Sequence, residues 1–270
     1  MPYDKITLFC FAASYGVALG LELMQLVRKG PVKNVLRLLF AAAGLLAHTL
    51  FLVVQQPALS SQFGSLLFLA WILAVFYLFG SIHHAQVAWG VFVLPLVFGL
   101  VLIAALFSPQ PGSNESGFIS ADGLKYYWGW LHGMLLLLAA VGISIGFIAS
   151  IMYLVQARRL RAKVPPGQGL QLLSLERLEE MNRRAINLAF PLLTAGFLVG
   201  AGLLIQGDAG LRGLTNPKVF GVVVLWIVFA SLLYLRYWVH LSGRRLAFLT
   251  ILAFGLLVAT LTAPTHQFGL

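Results

Sequence analysis

Residues 126–161 read YYWGWLHGMLLLLAAVGISIGFIASIMYLVQARRLR: an aromatic cluster, one histidine, a long apolar run, then a burst of arginine. About 20 apolar residues suffice to cross a bilayer as a helix, and this stretch exceeds that length. Aromatic rings at one end suit the headgroup level, and arginines at the other suit the cytoplasmic face. His132 is therefore expected just inside the outer face, beside Trp128 and Trp130.

The rest of the chain has the same character. It is 60% hydrophobic and 10% charged, with a mean hydropathy of +0.92. A soluble domain carries about 25% charged residues, so the composition predicts an all-α, polytopic membrane protein. The net charge of +10 does not indicate nucleic acid, because the basic residues sit in short connections between apolar runs, as membrane orientation requires. The single cysteine, Cys10, excludes an intrachain disulfide or a CxxC redox pair. The N-terminus lacks the pattern of a cleaved signal peptide, so the first apolar run is expected to be retained as a helix.

Apolar runs fall near 3–27, 35–54, 63–80, 87–107, 127–157, 187–206, 219–241 and 246–264, which predicts eight transmembrane helices. The third run has the fewest flanking charges. Pro57, Pro109, Pro111, Pro165 and Pro217 are expected in connections, where proline breaks no helix. Fourteen of the 18 Lys and Arg residues fall on one side: after the first run, after the fifth, and around the turn after the seventh. Lys5, Lys125, Arg212 and Lys218 are left on the other. The positive-inside rule then places both termini outside. Residues 1–270 are expected to form one integral-membrane domain, with 158–186 as a cytoplasmic connection within it. In that connection Ser174 is an N-cap candidate, and Glu176, Glu179 and Glu180 precede Arg183 and Arg184 at helical spacing, as in a charged lead-in to the sixth helix.

Ionisable groups at membrane depth call for a functional reading. The topology puts His132 and His266 at the outer face and His48 in the outer half of the second helix. His83, His84 and His240 fall at inner turns, as solvated or interface residues. Two neutral imidazoles converging at one depth are what a six-coordinate haem iron needs, and aromatic neighbours suit a porphyrin. The competing reading is that each histidine hydrogen-bonds a neighbouring helix. Spacing leaves both open, with His48 as a further ligand or an orienting group. Glu22 lies near Arg28 and Lys29, which predicts a structural ion pair. No HExxH, Walker, GxGxxG or GxSxG motif is present, so a catalytic reading has no residues to stand on.

Four stretches resemble the cytochrome c assembly protein family, in particular its CcsA-type and HemX-like haem-handling members. These are LHGMLLLLAAVGISIGFIASIMYLVQ from Leu131, SLERLEEMNRRAINLAFPLLTAGFLVGAGL from Ser174, LSSQFGSLLFLAW from Leu59, and the ending APTHQFGL. The resemblance runs over nearly the whole chain. It implies that His132 and His266 are the axial ligands of a haem at the outer face, with Trp128 and Trp130 beside it and His48 matching a helix-2 histidine of the HemX-like branch. The cofactor would be haem b, held transiently, and the other partners apocytochrome c or an assembly subunit, together with membrane lipid. The location would be the bacterial inner membrane, with the outer loops extracytoplasmic. Where the family carries a tryptophan-rich loop ending in a WDPKE-like sequence, this chain has GDAGLRGLTNPKVFGVVVLW, keeping Asn216-Pro217-Lys218 and Trp226. Gln56 and Tyr234 occupy the places of the family's transmembrane histidines. The expectation is a reduced member that holds or delivers haem without synthetase activity of its own. The rival readings are an accessory or regulatory membrane protein of haem metabolism and a small-molecule transporter.

Overall fold

The computed structural model describes residues 7–27, 31–83, 87–108, 123–163, 170–206, 217–239 and 242–263. Within them the chain forms eight helices: α1 (Leu8–Val27), α2 (Pro31–Gln55), α3 (Gln62–His83), α4 (Gly90–Leu106), α5 (Gly123–Arg161), α6 (Leu175–Gln206), α7 (Pro217–Tyr237) and α8 (Gly243–Thr262). Seven are long and apolar enough to cross a membrane, and α4, at 17 residues, is the shorter apolar one. No strand occurs among the described residues. The protein is an all-helical, polytopic membrane protein.

The eight apolar runs each become a helix, but several ends move. Pro217 is the first residue of α7 rather than part of the connection, a position where its missing N–H breaks no helical bond. Helix α6 begins at Leu175, so the charged lead-in and the membrane span are one 32-residue helix. Ser174 starts it as expected, accepting from the Arg177 N–H at 3.3 Å, and Glu180 pairs with both Arg183 and Arg184. At 39 residues, α5 rises about 58 Å. That exceeds a hydrocarbon core of about 30 Å and carries the arginine end beyond it. Gln56 ends α2 with φ of 42°, a left-handed cap at the helix terminus rather than a site within the span.

Two compact units make up the chain. The first contains α1–α4 and residues 159–173; the second contains residues 119–158 and 174–270. In the first unit α1 packs on α2 and α4, and α3 on α2 and α4. Helix α3 starts on Ser61, whose hydroxyl accepts the Gly64 N–H at 2.9 Å. Half of its membrane-length window is buried, so the run with fewest flanking charges forms a core helix. Glu22 on α1 does form an ion pair, but with Arg37 of α2, both side chains under a tenth exposed. The antiparallel hairpin brings the start of α2 alongside the end of α1. Arg28 and Lys29, the neighbours expected from the sequence, lie outside the described residues. The Glu22 carboxylate also rests on Gly90, the first residue of α4, where a Cβ would approach within 2.7 Å of either oxygen. A carboxylate there complements the positive end of the helix dipole. On the same end the Ala88 N–H donates to the Gln171 carbonyl at 3.0 Å, tying the α3–α4 turn to the connection that follows α5.

In the second unit α6 packs on α7, and α7 on α8. Its polar anchor is Asn182 of α6. The amide nitrogen donates to the Gly146 carbonyl (3.1 Å) and Ser150 hydroxyl (2.8 Å) of α5 and to the Thr250 hydroxyl (3.3 Å) of α8. Its oxygen accepts from Arg236 of α7 at 3.0 Å, so one side chain joins all four helices.

Breaking the pair in the first unit leaves a buried charge alone. Arg37→Met is expected to cost about 3–5 kcal/mol, and adding Glu22→Met to recover most of that loss. Reversible unfolding in mixed micelles would measure both; a single variant as stable as wild type would refute the buried pairing.

Candidate functional site

The second unit places His132 by the way α5 meets α6. Both helices carry small residues at the spacing that lets backbones approach closely. A Cβ on Gly142 would lie 2.9 Å from the Ala189 Cβ and 3.2 Å from the Ala185 carbonyl oxygen. One on Gly196 would lie 2.8 Å from a Leu136 methyl, and one on Gly200 would lie 2.5 Å from His132 Cε1 and 2.9 Å from its Nδ1. The contacts 142 to 189, 136 to 196 and 132 to 200 run in strict antiparallel register. Each step toward the aromatic end of α5 meets a step toward the C-terminus of α6, and the last contact in the series is the histidine.

There the imidazole is half-buried, with Nδ1 2.8 Å from the Gly196 carbonyl oxygen. A carbonyl only accepts, so Nδ1 carries a proton, and in the neutral ring Nε2 is the nitrogen with the lone pair. Trp128, one helical turn before His132, shares its face, is 43% exposed and meets Tyr127 edge-on at 6.2 Å. Trp130 is as exposed, at 42%, but two residues turn it about 200° away from His132. Counted from Arg158, His132 lies about 39 Å up the helix at about 1.5 Å per residue, which fits opposite faces of a bilayer.

The other expected site residues are distributed differently. His48 lies in the first unit and is fully buried. Its ring stacks on Phe11 with centroids 4.3 Å apart and planes 3° apart, and Nδ1 is 3.4 Å from the Tyr15 hydroxyl. Nε2 is buried with no hydrogen-bond partner among the described residues. His83 is exposed and turned back on its own helix, with Nδ1 3.0 Å from the Phe79 carbonyl. His266, His84 and His240 lie outside the described residues. Trp226 sits within α7, where its indole donates to the Thr194 hydroxyl of α6 at 2.9 Å between Phe190 and Phe197. It braces α6 in the stretch that leads to Gly196. The sequence reading missed Gly196 and Gly200, although their GxxxG spacing was visible and is a known signature of close helix contact.

Residues 59–262 match the family described as Cytochrome C assembly protein. The chain belongs to the cytochrome c assembly protein family. Among curated relatives named cytochrome c biogenesis protein CcsA, one from Synechococcus sp. is 29% identical over 253 residues, covering 73% of this chain and 71% of the relative. Another from Thermosynechococcus vestitus is 26% identical and covers 78% of each chain. One from Guillardia theta is 27% identical and covers 73% of this chain and 69% of the relative. No solved structure matches. The family match spans α3–α8 and contains His132, Gly196 and Gly200, while α1, α2 and His48 precede it and His266 follows it.

The two glycine contacts nearest the middle of α5 differ in what a methyl group would meet. At Gly196 its closest neighbour is a methyl of Leu136, with the Leu136 Cγ at 3.1 Å and the Leu135 Cβ at 3.4 Å, and a leucine side chain can turn aside. At Gly142 it meets a Cβ and a backbone oxygen, which cannot. Gly196→Ala is therefore expected to cost under about 1 kcal/mol and Gly142→Ala about 1–3 kcal/mol. Thermal unfolding in detergent should rank them in that order, and the opposite ranking would refute this register.

Proposed function

We propose that this membrane protein serves cytochrome c biogenesis by holding haem at the outer face through His132 and His266 and presenting it for attachment to apocytochrome c. The observation that carries the reading is the contact of His132: Nδ1 is engaged by a backbone carbonyl, which leaves Nε2 of the neutral ring as the nitrogen with the lone pair. Metal-binding histidines use this arrangement, because the second hydrogen bond fixes the tautomer and the ring orientation. The residues present therefore fit one axial ligand. Trp128, exposed on the same helical face, offers an aromatic surface to a flat ring. When bound, haem b would supply the reactive group to which the apocytochrome's thiols are joined; this chain contributes ligation, orientation and exposure.

His48 is the subordinate member of the proposal. With Phe11 across one face of its ring and no exposure to the surroundings, it serves as an additional or orienting group only if that aromatic cluster opens. In this reading both termini and the 207–216 loop lie outside and the 158–186 connection faces the cytoplasm of a bacterial inner membrane, as the distribution of Lys and Arg supports. Residues 1–270 act as one haem-handling domain beside a partner subunit or the apocytochrome itself.

The test is the absorption spectrum of the purified, haem-reconstituted protein. A low-spin bis-histidine spectrum is expected for wild type, with haem retention falling about tenfold or more in His132→Ala and in His266→Ala, and far less in His48→Ala. If wild-type protein takes up no haem even on reconstitution, the proposal fails and an accessory role takes its place.

A further inference from the structure

Resting on the haem reading of His132, we infer that Gly196 and Gly200 are its positioning residues: the Gly196 carbonyl holds the imidazole as its Nδ1–H tautomer, and the bare backbone of Gly200 lets the ring lie close enough for that bond. Nε2 is then the atom offered to iron.

Three features of the contact support this. The Nδ1 to Gly196 oxygen distance is 2.8 Å, inside the normal range for an N–H···O bond. A Cβ on residue 200 would fall 2.5 Å from Cε1 and 2.9 Å from Nδ1, but 3.4 Å from Nε2. The Nδ1–Cε1 edge therefore faces position 200, and Nε2 lies furthest from that position of these three atoms. Among the described residues, Nδ1 to Gly196 is the hydrogen bond that His132 makes. A histidine serving only as interhelical glue would need the same bond. What distinguishes a ligand is a second nitrogen kept unprotonated and accessible. Here the ring is half-buried, unlike His48, whose Nε2 is sealed inside its unit.

Position 200 is the demanding one. The neighbour that its Cβ would meet is the imidazole ring itself, so Gly200→Ala pushes the ring off α6 and breaks or lengthens the bond to Gly196. Gly142→Ala disturbs the same helix pair without touching the ring and serves as the control.

The experiment is nitrogen NMR of haem-free protein labelled with 15N-histidine, the His132 signals being assigned by their loss in His132→Gln. Wild type is expected to show a protonated Nδ1 and an unprotonated Nε2 in the neutral form of the ring. This pattern should be lost in Gly200→Ala and kept in Gly142→Ala. In reconstituted samples Gly200→Ala should retain haem about tenfold less well than Gly142→Ala. An Nε2–H tautomer in wild type, or an unchanged His132 signal in Gly200→Ala, overturns the inference whatever happens with haem. If the tautomer pattern is found and haem does not bind, the positioning stands and the haem reading of the site falls.

Discussion

The arrangement of the second unit depends on how closely α5 and α6 approach. Close approach needs small residues facing each other, and the pair supplies them along its length: Gly142 against Ala185 and Ala189, then Gly196 and Gly200 on the other helix. In a membrane, apolar side chains gain little by leaving lipid for protein, so packing at short range and hydrogen bonds across helices must supply the association. Once the two backbones are close, a carbonyl in the middle of α6 comes within reach of a ring on α5. The orientation of His132 follows from the contacts at its own level, the Gly196 carbonyl and the bare backbone of Gly200.

At the basic end of each unit the same electrostatic device recurs. In the first, the Glu22 carboxylate lies against Gly90, the opening residue of α4, and pairs with Arg37. In the second, a Glu179 oxygen lies 3.1 Å from where a Cβ of Gly243, the opening residue of α8, would be, with the Tyr153 hydroxyl 2.7 Å from that same point. Arg236 donates to the Glu179 carbonyl at 3.3 Å and to Asn182. A carboxylate near unpaired N–H groups at a helix start is favourable, and glycine is what lets it come so near. Neither helix N-cap uses a side-chain hydrogen bond of its own, so in each case the acid arrives from a different helix. These contacts fix helix starts at one end of each unit.

Much of this was legible in the sequence. Runs of apolar residues longer than a bilayer leave little choice but helices, and Ser174 announced the start of α6. The charged lead-in was visible too, but its continuity with the span was not, because the apolar run begins only at residue 187, after Arg183 and Arg184. The Arg37 partner of Glu22 was not legible, because neighbours in sequence stood in for neighbours in space, and a helical hairpin brings residue 37 alongside residue 22. His132 was picked out by its place at the aromatic end of one helix. Gly196 and Gly200 were overlooked because a GxxxG says that something packs closely, while only the register of the partner helix says what.

His48 and His132 show what turns a histidine in a membrane helix into a candidate ligand. Both are intramembrane by sequence, and both have Nδ1 near an oxygen of another helix. In the first unit that oxygen belongs to a tyrosine hydroxyl, which donates as well as accepts, so the tautomer is not determined by its partner. Phe11 lies flat on the ring and leaves it no exposed surface. At His132 the partner is a backbone carbonyl, which decides the tautomer, and part of the ring stays open beside an exposed tryptophan. A ligand needs both a nitrogen with its lone pair free and a path for the metal to reach it. Burial alone gives the first group a costly polar atom, whereas a helix carbonyl and a glycine give the second group a direction.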